Sequence, residues 1–137
     1  MGLYRGTVAE QFFPYIKPQE TGNKEGVRWI ALTDTTGRGV LAIGEPLLSA
    51  NALHASTEDL YAATQKENFY AYQMPERKTV TLNLDLKQRG VAGEDSWGAL
   101  PRPQYRLYPW WPTGYSYRLH VLAGGEDLAK VARQRVE

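Results

Sequence analysis

The stretch GVAGEDSWGALPRPQYRL, residues 90–107, sets two adjacent carboxylates, Glu94 and Asp95, directly before Ser96 and the indole of Trp97. A glycosidase needs two carboxyl groups that face each other across the scissile bond. Neighbouring side chains in an extended segment point to opposite sides, so Glu94 and Asp95 do not form that pair by themselves. Asp95 reads instead as a loop-positioning residue, its oxygens accepting backbone N–H groups, with Gly93, Glu94 and Ser96 completing a turn that holds Trp97. A Ser96–His120–Asp95 triad can be drawn on paper, but no nucleophile elbow surrounds Ser96. The two histidines, His54 and His120, are not spaced as a metal-ligand pair. His120 falls on the more polar face of a strand pattern, as a solvated or hydrogen-bonded side chain. His54, in NALHAS, has no regular pattern around it and is a candidate substrate contact.

A second aromatic group is YRLYPWWPTGY, residues 105–115, where Trp110 and Trp111 stand between Pro109 and Pro112. Prolines on both sides rule out a central strand. The segment is a loop: a sugar-stacking lip, an inter-domain contact, or a rigid cover over its own sheet edge. Four Trp and nine Tyr against three Phe favour rings that carry a polar handle, which suit partly wet surfaces as well as cross-strand pairs in a β-rich core.

Other chemistry is absent. There is no HExxH, P-loop or dinucleotide fingerprint, and TTGRG (35–39) reads as a hairpin turn. Zero cysteines exclude disulfides and thiolate metal sites. A net charge of +1 without a basic stripe gives no footprint for nucleic acid. The apolar runs are too short for a membrane span or a signal peptide, so the expectation is a cytoplasmic protein with no membrane partner.

The elements that must carry these residues are mostly strands. Residues 27–44 read as a hairpin closed at DTTG, with apolar residues on both faces. TVTLNLDL (79–86) alternates as a half-buried strand, and YSYRLHVL (115–122) alternates with Tyr115, Tyr117, Leu119 and Val121 facing one way. NFYAYQ (68–73) and QYRLY (104–108) are shorter strand candidates. STEDLYAATQ (56–65) opens on a Ser56 N-cap with Asp59 three residues on, predicting one short helix. EDLAKVARQRVE (126–137) has helical spacing after a Gly124–Gly125 break. At 137 residues, 42% apolar and 23% charged, the chain is one domain able to bury a core. Residues 1–14 form a lead-in strand or linker and 123–137 a tail. The pattern predicts an all-β antiparallel sandwich with one or two short helices.

Two separated motifs resemble one family. Pro18, Gln19, Glu20, Gly22 and Asn23, then Val27, Arg28 and Trp29, and later Gly93, Glu94, Asp95, Ser96 and Trp97, are similar to the C-terminal small-chain domain of LacZ-type glycoside hydrolase family 2 β-galactosidases. The similarity runs from about Tyr15 to Leu122, with Glu94 where aspartate is common. It implies a supersandwich of the galactose mutarotase-like kind, one piece of a long, retaining, homo-oligomeric hydrolase acting on lactose-like galactosides. It implies that Trp97 stacks on the bound sugar; His54, Trp110 and Trp111 stay substrate-binding candidates from the residue reading above. The catalytic glutamates and the magnesium and sodium ligands would lie in other domains, so this chain would carry no catalytic residue, no cofactor and no activity alone. A stand-alone carbohydrate-binding module, or a purely structural assembly domain, is the alternative.

Overall fold

The computed structural model describes residues 2–65, 70–89 and 98–134, with backbone only at 62–65. They form a mostly antiparallel sheet with two short helices, the all-β class expected from the sequence. The strands are β1 (Lys24–Thr33), β2 (Arg38–Leu53), β3 (Thr81–Asp85) and β4 (Ser116–Ala123); the helices are α1 (Thr57–Gln65) and α2 (Leu128–Arg133). β2 pairs with β1, β3 and β4. The chain divides into two compact units, residues 1–24 with 50–84, and residues 25–49 with 85–137.

In the unit built on residues 25–49 and 85–137, the predicted hairpin is present. Asp34 closes it: its Oδ1 accepts from Thr36 N (2.8 Å), Thr36 Oγ1 (2.7 Å) and Arg38 N (3.1 Å). The Thr36 hydroxyl, then the backbone N–H, hold the Asp34 carboxyl below the usual carboxylate range. Gly37 takes φ +82°, a conformation side chains disfavour.

β4 lies antiparallel to β2, with Val40 opposite Val121, Leu41 opposite His120 and Ile43 opposite Arg118. One face carries Leu41, Ile43 and Leu122, packed by Trp29 and Ala31 of β1 and by Leu128, Val131 and Ala132 of α2. α2 starts where Asp127 accepts from Lys130 N at 3.0 Å. The turn before it is fastened by Glu126, which accepts from Ala123 N (2.7 Å) and lies 3.0 Å from His120 Nε2. The His120 contact, then the Ala123 N–H, lower the Glu126 pKa. The alternation expected for β4 holds, but its burial is inverted. Tyr115, Tyr117, Leu119 and Val121 are exposed, Val121 at 82%, whereas Leu122 on the opposite face is buried at 2%. The helix covers the face that also bears His120 and Arg118.

In the unit built on residues 1–24 and 50–84, Leu53, Ala55 and Leu60 form a core with Met74 against it. The expected N-cap is reciprocal: Ser56 N donates to Asp59 Oδ2 (2.9 Å) and Asp59 N donates to Ser56 Oγ (3.2 Å). Residues 2–14 contain no strand, only a 3-10 turn at Ala9–Gln11 bracketed by Thr7 and Glu10.

Two strand expectations are corrected. Ala71–Gln73 is a 3-10 turn, closed as Gln73 Oε1 accepts from Tyr70 N at 2.9 Å; residues 66–69 lie outside the described residues. Pro103–Tyr105 is also a 3-10 turn, because proline at its start fixes a helical φ and lacks the N–H that a ladder requires.

Candidate functional site

Gly93, Glu94, Asp95, Ser96 and Trp97 fall in residues 90–97, outside the described residues. The exit from that segment is described. Gly98 has φ +108°, and Pro101 beyond it is buried, its carbonyl accepting from Arg106 Nε at 2.5 Å. The downstream end of the loop is therefore pinned at one carbonyl, while Leu100 between these points is exposed.

The Pro-flanked segment delivers a displayed aromatic group. Tyr108 gathers both indoles, with ring centroids 5.1 Å from Trp110 and 5.6 Å from Trp111. Trp111 N donates to Tyr108 O at 3.2 Å, closing a turn that fixes the three rings relative to one another. Trp110 is 72% exposed and Trp111 65%. Tyr115 and Tyr117 follow in the same unit, their rings 5.9 Å apart. A group of this kind can stack on the C–H face of a sugar at about 1 kcal/mol per ring, or cover an apolar partner surface.

His54 stands in the other unit as part of a bracket. Its Nδ1 lies 3.0 Å from Arg77 O, and Arg77 N donates back to His54 O at 3.4 Å. The Arg77 guanidinium grips Asp59 through Nε (3.0 Å) and Nη2 (2.7 Å), so the His54 loop is tied to the start of α1. That guanidinium, with the Ser56 N–H, holds the Asp59 carboxyl far below the ordinary range. Of this network only the Ser56–Asp59 pair was legible in the sequence.

The PQETGN stretch has a structural task that sequence reasoning missed. Glu20 Oε2 accepts from Asn51 Nδ2 at 3.4 Å, and Asn51 Oδ1 accepts from Asn83 Nδ2 at 2.8 Å. Asn51 is 1% exposed, so these bonds satisfy a polar side chain inside the unit. Thr21, also buried, accepts from Phe13 N at 3.2 Å. Gly22 has φ +72°, and a Cβ there would sit 2.7 Å from Gln11 O. Lys24 Nζ bonds Gln11 Oε1 and Gly22 O, closing the segment on itself.

Among the described residues no group of three His, Cys, Asp or Glu side chains is arranged to hold a metal ion, and no helix is long and apolar enough to cross a membrane. The described ion-pair partner of His120 is Glu126, while Ser96 and Asp95 lie outside the described residues.

Comparison with known proteins matches residues 1–119 to the family described as beta galactosidase small chain. A beta-galactosidase of Priestia megaterium is 43% identical over 108 residues, covering 79% of this chain and 10% of that protein. Beta-galactosidase BgaC of Bifidobacterium adolescentis is 33% identical over 111 residues (78% and 10%). A beta-galactosidase of Lactobacillus delbrueckii subsp. bulgaricus is 36% identical over 107 residues (78% and 10%). The chain thus spans about a tenth of the length of the curated relatives it matches.

Proposed function

Because the chain belongs to the β-galactosidase small-chain family, we propose that it serves as the C-terminal domain of a retaining β-galactosidase and supplies an aromatic wall to the sugar site, not the catalytic carboxylates. The observation that carries this reading is the match over residues 1–119, which contains both the PQETGN and the EDSW stretches. In it, Trp97 is the stacking ring, and Gly93, Glu94, Asp95 and Ser96 position it. The attraction is the stacking of an indole on the C–H face of the sugar, about 1 kcal/mol. The other domains of the parent are the partners, and magnesium and sodium belong with them. The same reading makes the sheet one layer of a sandwich within a homo-oligomeric, cytoplasmic parent.

Two measurements test it. The purified chain is expected to show no turnover of a chromogenic galactoside; clear hydrolysis refutes the assignment of chemistry to other domains. In the intact parent, Trp97→Ala is expected to weaken galactoside binding while leaving the melting temperature nearly unchanged. A sharp drop in melting temperature makes Trp97 a core residue.

The exposed Tyr108–Trp110–Trp111 group supports a second reading, a stand-alone carbohydrate-binding module. Titrating the chain with lactose under tryptophan fluorescence separates the two. Saturation below millimolar favours the module, and no response favours a half-built site completed by the parent.

A further inference from the structure

The unit of residues 25–49 and 85–137 contains a cleft of 320 Å³ lined by Ile43, Gly44 and Glu45 of β2, Arg118 of β4, and Ala132, Arg133 and Gln134 at the end of α2. Arg118 lines this cleft half-buried, and among the described residues its enclosed Nε has no hydrogen-bond partner. A guanidinium stays protonated in a protein and has donors only, so one that lines a cleft favours an anionic acceptor. The β2–β4 register sets Arg118 opposite Ile43 and Ser116 opposite Glu45, which places Glu45 diagonally across from Arg118 on the same face. Among the described residues the ionisable lining is two guanidiniums and one carboxylate, a net positive set with a Gln134 amide as a further donor and Ile43 and Ala132 as apolar lining. Arg133 and Gln134 lie beyond residue 119, where the family match ends.

We propose that this cleft is an oxyanion site, in which Arg118 and Arg133 together bind a phosphate or carboxylate group. Planar guanidiniums match two-oxygen acceptors and bind them through paired, charge-assisted bonds. The volume lies at the small end of ligand pockets and suits a compact anion. Glu45 opposes the anion and sets its affinity.

The test is the melting temperature of the whole chain titrated with inorganic phosphate and, separately, with succinate, each against sodium chloride at matched ionic strength. The two arms distinguish a phosphate from a carboxylate ligand. At least one is expected to give a saturable rise that chloride does not. Arg133→Gln is expected to lower that affinity several-fold, Arg118→Met by about tenfold, and Glu45→Gln to raise it several-fold. If Arg118→Met fails to fold, the other two variants still decide. Equal shifts in chloride, or an affinity unchanged in both Arg133→Gln and Glu45→Gln, overturn the site.

Discussion

Removing Asn51 tests whether the buried polar relay holds its unit together. Asn51→Ala deletes the acceptor of the 2.8 Å bond from Asn83 and the donor of the 3.4 Å contact to Glu20. The long contact contributes little at that distance. The short bond contributes about 1 kcal/mol net, and a half-buried Asn83 amide left without its acceptor adds about 1 kcal/mol more. The expected loss is therefore about 2 kcal/mol. Asn83→Ala is expected to cost at least as much, about 2 kcal/mol, because it loses the same bond and strands Asn51 Oδ1, on a side chain only 1% exposed. The double variant loses the bond once and strands neither amide, so the coupling between the two sites is expected between about 2 and 3 kcal/mol. Urea unfolding of the chain reads this directly: with a slope of about 1.5 kcal/mol per molar, Asn51→Ala lowers the midpoint by about 1.3 M. A coupling below about 0.3 kcal/mol shows that both amides find water as readily as each other, and refutes the relay as a stabilising device.

Gly22→Ala is expected to lose about 3 kcal/mol, combining the left-handed φ with the 2.7 Å approach to Gln11 O, while Gly26→Ala (φ +66°, nothing within 4 Å) loses only about 1 kcal/mol; thermal unfolding compares them. Ser56→Ala removes half of the reciprocal cap and is expected to cost about 1 kcal/mol in the same assay. Asp59 has a folded pKa below its unfolded value of about 4, so the unfolded chain takes up the proton first and acid favours unfolding. The stability it contributes is full above that value and is lost as pH falls towards the folded pKa. Urea midpoints measured from pH 6 to 3 should therefore decline less steeply in Asp59→Asn. Trp110→Ala and Trp111→Ala are expected to change stability by less than about 0.5 kcal/mol, since both indoles stand in solvent; a larger loss by thermal unfolding makes them packing residues.

Local pattern made much of the fold readable. Strict alternation gave β3 and β4, the DTTG turn gave the β1–β2 hairpin, and Ser56 with Asp59 gave the start of α1. The reach of β2 was hidden, because Gly44 and Pro46 read as strand breakers yet the strand runs on to Leu53. The aromatic stretches at 68–73 and 104–108 looked like strands by composition, but short-range hydrogen bonds turned their described parts into 3-10 turns. Burial on β4 depended on which face α2 covers, and alternation alone carries no such sign. The prolines around Trp110 and Trp111 marked a loop, but whether its indoles are displayed or folded over the sheet edge was not readable from them. The Asn51 contacts span 31 and 32 positions of sequence, and the Arg118 cleft depends on strand register and helix docking, so no local motif could reveal either.

The outward row of Tyr117, Leu119 and Val121 governs how the chain behaves as a solute. Salts excluded from protein surfaces, such as sulfate, make wetted hydrocarbon costlier, so the chain is expected to salt out early. Cooling weakens the same force, so any association through this row is expected to loosen on ice and re-form on warming.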